Sequence, residues 1–431
     1  MLRTMIKDYN AQTEALGVSG FDSIPLFVDL MREKGIYPRL ITIEDGVNEP
    51  ECVVGGEKYL MFCANNYLSL TEHPRVKAAA KAAIDKYGVG PGGSRVIAGN
   101  VDIIEELEAR IAAMTGTEDC LTLPTGYMAN VSVLKAVLDP FFFGMPARKD
   151  SSAIFIDEYN HGSVQDGCEL TSALKFSYSH DDLEDLERKL ASCDRPNKLI
   201  TTEGVFSLEG KILDLPAYIE LARTYGAKLM IDDAHGVGII GDRGGGTGDY
   251  YGRAGDIDIL MGCMDKAFGG TGGYLCGKKP VIDYLRVALR SSVLSSAIPT
   301  MMAGAMIESI NLIEDGQDLR WLLFEKAAYL RNGLIERGFT VLGRDTIPSV
   351  PLFMGDERIG LAFAEGFYQR KILCSLVRWP AAPQGKSRFR IIVMANHQRA
   401  HLDALLDACE EIRDELGVAE EMAEAAEPVA V

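Results

Sequence analysis

The sequence predicts an α/β protein, a large domain on a mainly parallel central sheet followed by a smaller C-terminal α+β domain. Three observations predict it. Between about Lys58 and Gly277, short apolar runs alternate with amphipathic helical stretches, and each run ends in a polar or glycine-rich turn. The runs are brief and largely apolar, as strands buried on both faces are. After about Thr300 the texture changes to long helical segments and then strand-like pieces.

Residues 1–57 read as an N-terminal helix and arm. The stretch GFDSIPLFVDLMREKGIYPRL suits an amphipathic helix leading into an extended arm from about Gly35, of the kind that docks on a partner subunit. The large domain, residues 58–305, holds five apolar runs: DCLTLP (119–124), AIFID (153–157), KLITTE (198–203), KLMIDD (228–233) and DILMG (258–262). All five suit central parallel strands. SHDDLEDLERKLAS and LPAYIELARTYGA supply crossover helices, the second closing on a Gly suited to a C-cap. The smaller domain, residues 306–416, continues the long helical region into FTVLG, SVPLFMG and RFRIIVM and ends in a helix from about Arg399 to Leu416. The Ala/Glu-rich tail, 417–431, reads as a frayed helix end or a disordered tail.

Composition narrows the function. With 431 residues, 47% hydrophobic and 25% charged, the chain is ordinary globular protein rather than disordered. Its net charge of −18 repels phosphate backbones, which argues against a nucleic-acid binder. The sequence has neither a signal-peptide h-region nor an apolar stretch long enough to span a bilayer. Nine cysteines without a C-x-x-C pair fit reduced thiols, so a cytoplasmic protein is expected.

In an open parallel sheet the ligand site lies beyond the carboxyl ends of the strands. After DCLTLP, TGYMAN opens a helix whose free N–H groups at Gly126, Tyr127 and Met128 form a natural phosphate cradle. After AIFID, EYNHGS sets His161 where an imidazole can lie flat on a planar cofactor. KLMIDDAHG ends in Asp232, Asp233 and His235. A buried carboxylate there needs a cationic partner, and a protonated heterocyclic nitrogen would serve. Nothing completes a ligand set around these residues, so no metal is expected. DILMGCMDKAFGGTGGYLCG places Lys266 just past a strand end, a shielded amine suited to forming a Schiff base. Together these are the parts that pyridoxal phosphate requires. The second glycine-rich segment, GDRGGGTGDYYG (241–252), lacks a following Lys-Ser/Thr and reads as a flexible surface loop.

Eight stretches in order, FCANNYLSLTEHPRV, GPGGSRVIAGN, LPTGYMAN, DEYNHGSVQDG, TEGVFSLEG, IDDAHGVGIIG, DKAFGGTGGY and RFRIIVMANH, make the chain resemble the α-oxoamine synthases from about Gly35 to Leu416. These are fold-type I pyridoxal-phosphate enzymes, aspartate aminotransferase-like, that condense an amino acid with an acyl thioester. GIYPRL, LMFCANNYLSL and VRWPAAPQGKSRFR look most like the bacterial serine palmitoyltransferases within that family.

The resemblance implies that Lys266 forms the Schiff base, Asp232 pairs with the pyridine nitrogen and His235 contacts the phenolic oxygen. It has His161 stack on the ring and Ser207 line the same face, with Gly126 and Tyr127 binding phosphate. Ser295 falls where the family reaches the phosphate of a neighbouring subunit, which implies a homodimer with shared active sites. Arg390 falls where the amino acid carboxylate is gripped, and Asn66 and Arg378 would border the substrate. The chain departs from the pattern at Cys263 and Asp265, where relatives carry Thr and Ser or Thr, at Ile104, where many have His, and at Asn65.

The expected reaction joins L-serine to a long-chain acyl thioester, from CoA or a carrier protein, with loss of carbon dioxide, giving a 3-ketosphinganine-type amino ketone of sphingolipid biosynthesis. A related synthase using glycine or alanine, with an acyl-CoA or acyl-carrier-protein donor, would keep the same residues. An inactive binding subunit is the alternative of a different class. A lipid product would allow peripheral membrane contact.

Overall fold

The structure is a computed structural model that describes residues 2–34, 37, 39–142, 145–146 and 151–426. The chain divides into two compact units, Met1–Asp45 with Val53–Glu57, and Gly46–Cys52 with Lys58–Val431. Both the 58–305 and the 306–416 segments fall within the second unit.

In the first unit, helices α1 (Leu2–Leu16) and α2 (Ile24–Glu33) meet around Met5 and Leu30. The sequence suggests one helix here. The second arises because Gly17, at φ +63°, ends α1 and Pro25 opens α2. Gly35, Ile36 and Pro38 of the expected arm lie outside the described residues.

The second unit is organised by a seven-stranded sheet. Its strands are β1 (Asp119–Leu123), β2 (Ser152–Asp157), β3 (Leu174–Tyr178), β4 (Asn197–Glu203), β5 (Lys228–Asp232), β6 (Ile259–Cys263) and β7 (Gly273–Gly277). They lie in the order β1-β7-β6-β5-β4-β2-β3. Neighbours from β6 to β3 are parallel, whereas β7 runs antiparallel to both β6 and β1.

All five expected strands are present, with one correction of place: β1 is an edge strand paired antiparallel to β7, not a central parallel one. It reads as doubly buried because helices α4 (Asp102–Thr115) and α9 (Lys279–Ala288) cover it. Strands β3 and β7 escape the sequence reading. LKFSY faces partly outward, and GYLCG is bounded by glycines that look like turn.

Helix α3 (Pro74–Tyr87) precedes α4. Helices α5 (Gly126–Leu138), α6 (Gly162–Glu169), α7 (Leu183–Ser192) and α8 (Leu215–Thr224) follow β1, β2, β3 and β4. Leu121, Ile154, Met230, Met261 and Leu275 of the sheet join Ala129 and Val133 of α5 in one buried core. Each large apolar side chain so buried contributes about 1.5–3 kcal/mol. This core fixes the strand ends relative to the start of α5.

The GDRGGGTGDYYG segment is not a flexible surface loop. Residues 244–248 are buried, and Thr247 donates from its backbone N–H (2.6 Å) and hydroxyl (2.7 Å) to the Asp233 carboxylate. The glycines serve close approach: a Cβ on Gly246 would strike that carboxylate.

Helix α10 (Thr300–Asp315) packs on α3 and α4 and leads into α11 (Gln317–Glu336). An antiparallel sheet follows, β8 (Ser349–Gly355), β9 (Ser375–Val377) and β10 (Ser387–Ile392) in the order β8-β10-β9, with α12 (Glu357–Gln369) and α13 (Arg399–Leu416). Part of the tail is docked rather than frayed: Ala419–Ala426 is helical and Ala425 packs against Leu342 and Phe353. Residues 427–431 lie outside the described residues. Among the described residues no helix is long and apolar enough to cross a membrane.

Candidate active site

Three carboxyl strand ends converge. Asp232 closes β5, in register with Glu203 of β4 on one side and Met261 of β6 on the other. Asp232 is 6% exposed, and its carboxylate accepts from the Asn130 side-chain amide at 2.8 Å and the Ala234 N–H at 3.2 Å. Among the described residues no cationic side chain forms an ion pair with it. A buried carboxylate in that state is fitted to a cationic ligand atom.

Lys266 follows β6, its side chain 12% exposed and its Nζ 3.7 Å from the Asp265 carboxylate. Burial pulls its pKa down, but the neighbouring acidic groups Cys263, Asp265, Asp232 and Tyr67 outweigh that, so the net direction is upward. Cys263 takes the position of the family's Thr, and burial lifts its thiol to about 12.

His235 sits in the turn after β5, with the Tyr67 hydroxyl 2.7 Å from its Nδ1. Burial, then the charges of Lys266, Arg390 and His161, hold its pKa well below the usual imidazole value, so it is neutral. Burial also raises the Tyr67 phenol, which keeps its proton. Tyr67 is anchored by its carbonyl, which accepts from Ala395 N–H at 2.8 Å beyond β10.

His161 caps α6, its Nδ1 2.8 Å from the Ser163 hydroxyl and its backbone N–H donating to Glu203 at 2.8 Å. Burial, then the negative charge of Asp232, pushes the Glu203 carboxyl well above its usual pKa.

Gly126 opens α5, with Thr125 as N-cap accepting from the Met128 N–H at 3.1 Å. A Cβ on Gly126 would collide with the Cys263 sulfur, so the helix start lies directly against the end of β6. The Met128 N–H, expected among the free donors, is instead taken up by the Thr125 cap, which leaves the Gly126 and Tyr127 N–H groups at the same strand ends as donors for an anion. The Tyr127 side chain points elsewhere, its hydroxyl donating to Asp166 at 2.5 Å. Ser207 is buried, its carbonyl accepting from Ser349, and the Ser295 hydroxyl reaches, among the described residues, only the Ser296 carbonyl, at 3.5 Å.

Arg390 lies on β10. Its Nη2 donates to Asn65 at 3.2 Å, and its Nε is buried without a partner among the described residues. Arg378, just past β9, likewise has a buried, unpartnered Nη1. Unsatisfied guanidinium nitrogens are fitted to an anionic ligand. Asn66, in contrast, commits its amide to the Asn48 carbonyl (2.9 Å) and the Thr71 N–H (3.4 Å).

Residues 57–409 match the family model described as aminotransferase class I and II. Among curated proteins the chain is 38% identical over 392 residues to the 8-amino-7-oxononanoate synthase of Lysinibacillus sphaericus, covering 91% of this chain and 98% of that one. It is 36% identical over 403 residues to the enzyme of that name from Thermoanaerobacter pseudethanolicus, covering 93% and 99%. Among solved structures it is similar to a variant serine palmitoyltransferase from S. paucimobilis with bound PLP and myriocin, with a TM-score of 0.85, 26% identity and coverage of 92% and 98%. The chain belongs to the aminotransferase class I and II family, in its α-oxoamine synthase branch. The cofactor of the enzyme is pyridoxal phosphate. Its residues fit that group: a buried carboxylate without a cation, a shielded amine and a helix N-terminus open to phosphate.

Sequence reasoning misses Asn130, Tyr67 and Glu203. Asn130 closes TGYMAN one turn into α5, so helical periodicity puts it on the face that Gly126 starts, and that is the signal which finds it. Glu203 closes KLITTE, so its place at the carboxyl end of a strand is the signal that finds it. Tyr67 has no comparable signal, because its partner lies far off in sequence.

Proposed function

We propose that this enzyme is an 8-amino-7-oxononanoate synthase-type α-oxoamine synthase. The observation that carries the reading is the buried pair of Asp232, lacking a cation, and Lys266, shielded beside it, in a chain 38% identical to such a synthase along nearly its whole length. The name of that relative's product supports a particular pair of substrates. In an 8-amino-7-oxo nine-carbon acid, the CH3–CH–NH2 end is alanine without its carboxylate, and the other seven carbons are a dicarboxylic acyl unit. The expected substrates are therefore L-alanine and a seven-carbon dicarboxylic acyl thioester, carried by CoA or a carrier protein.

Pyridoxal phosphate supplies an aldehyde carbon for the amine and a ring that accepts the electron pair of the substrate Cα. Asp232 holds the proton at the ring nitrogen, with Asn130 fixing the carboxylate. His235, neutral and tied to Tyr67, presents a hydrogen bond to the phenolic oxygen. His161 would cover one face of the ring, and Ser207 would line the same pocket. The α5 start at Gly126 and Tyr127 binds phosphate through backbone N–H groups. Arg390 orients the amino acid carboxylate, with Arg378 and Asn66 bordering the substrate. Lys266, once free as an amine, takes the proton from Cα. Ser295 completes the phosphate site of a partner subunit in a homodimer.

The 0.85 TM-score to serine palmitoyltransferase supports a second reading, with L-serine and a long-chain acyl thioester. Absorbance titration of the cofactor-loaded protein with L-alanine, L-serine and glycine tests both. A spectral shift with L-alanine, and none with L-serine or glycine, supports the first reading. A shift with L-serine alone replaces it with the second.

A further inference from the structure

Asp265 has one polar contact among the described residues. Its Oδ1 lies 3.7 Å from the Lys266 Nζ, although its own side chain is 47% exposed and that of Lys266 only 12%. The groups that face the amine are Cys263 and Asp265 from its own turn, Asp232 from the end of β5, His235 from the turn beyond it and Tyr67 from the segment before α3. Burial keeps the Cys263 thiol, at about 12, and the Tyr67 phenol protonated at neutral pH, and His235 is neutral. The anions left are Asp232 and Asp265. Asp232 is engaged by Asn130 and the Ala234 N–H, so Asp265 is the carboxylate paired with the amine.

A carboxylate at this range favours the ammonium form, whereas only the neutral amine attacks an aldehyde. Lys266 must shed one proton to solvent before its lone pair adds to the aldehyde carbon. A carbon–nitrogen double bond then replaces the carbon–oxygen one, one water leaves, and nothing is oxidised or reduced. We propose that Asp265 is a positioning residue that slows cofactor loading by holding Lys266 as an ammonium ion. This rests on the reading of Lys266 as the residue that bonds the cofactor.

Asp265 stands where the resemblance implies a Ser or Thr near the cofactor phosphate, so its charge would also oppose that phosphate, and a phosphate-free aldehyde separates the two effects. The full-length protein, stripped of cofactor, is mixed with pyridoxal phosphate or with pyridoxal, and the rate of appearance of the absorbance band is followed across pH. In Asp265→Asn and Asp265→Ser, the pH at half-maximal rate falls by about one unit, making loading near neutrality about tenfold faster with both aldehydes. Asp265→Glu restores slow loading. Acceleration confined to pyridoxal phosphate overturns the proposal in favour of phosphate repulsion, and unchanged rates with both overturn it outright. A Lys266→Ala protein that still becomes covalently labelled by the cofactor on borohydride reduction overturns the reading of Lys266 instead, and the proposal falls with it.

Discussion

The Asn130 side-chain amide donates at once to Asp232, at 2.8 Å, and to the Ser163 hydroxyl, at 2.9 Å. This one side chain ties the first turn of α5, the end of β5 and the start of α6 together. The Ser163 hydroxyl in turn meets the His161 ring at 2.8 Å. The group that holds the ring nitrogen and the group that covers the ring are therefore linked through Asn130.

Replacing Asn130 with Asp would set two buried carboxylates within hydrogen-bond distance, where both cannot ionise. Asn130→Asp is expected to weaken cofactor binding at least tenfold, because a proton shared by the two acids lowers the charge available to the ring nitrogen. Asn130→Ala should cost about 1–3 kcal/mol through the lost bond to a charged group. Equilibrium cofactor titration and thermal melts check both. Unchanged cofactor affinity in Asn130→Asp would sink the argument.

Tyr67→Phe removes the one hydrogen-bond partner that His235 Nδ1 has among the described residues and leaves a buried ring nitrogen unsatisfied. The expected loss is about 1–3 kcal/mol of stability in the cofactor-free protein. It should also move the absorbance band, since His235 loses the contact that fixes its tautomer. A variant with wild-type melting temperature and spectrum would show that this hydrogen bond does not hold the ring.

Residues directly after an apolar run are readable from the sequence, because a strand end is marked by its turn and the ligand side of a parallel sheet is its carboxyl side. That is why Asp232, His235, His161 and Lys266 can be picked out in advance as residues at the carboxyl edge of the sheet, where the structure places them. Tyr67 lies 168 positions from the histidine it contacts, so no local pattern joins them. The 241–252 segment misleads for a related reason. Its glycines suggest freedom, yet they let the backbone fold around Asp233, whose burial appears only when β5 is in place. The antiparallel entry of β7 is equally hidden, since a five-residue glycine-bounded run carries no mark of direction.

Asp233 gives a pH signature. Burial, partly opposed by the two Thr247 bonds, raises its carboxyl from 3.8 to about 6. The folded state therefore binds more protons than the unfolded state between those values. The stability this group contributes is full below about 3.8 and is lost as pH rises through about 6, a change of about 3 kcal/mol. Asp233→Asn can keep both contacts, with the Thr247 hydroxyl reversing its role. Its melting temperature should match wild type near pH 4 and exceed it near pH 7. A difference that does not change with pH would remove Asp233 as the source.

Gly126 and Cys263 give a test of the phosphate cradle by compensation. A Cβ at Gly126 meets the Cys263 sulfur first, and then the flexible Met261 Cε at 3.0 Å and the Cys263 Cβ at 3.7 Å. Gly126→Ala alone should force the start of α5 away from β6, costing about 1–3 kcal/mol of stability and much of the cofactor affinity. Cys263→Ala alone should cost less, a small cavity. The double variant Gly126→Ala with Cys263→Ala removes the colliding atom, so its loss should be smaller than the sum of the singles by about 1 kcal/mol or more. Thermal melts and pyridoxal phosphate titration of all four proteins close the cycle. Additive losses would mean that the thiol does not set the distance between the helix start and the strand end.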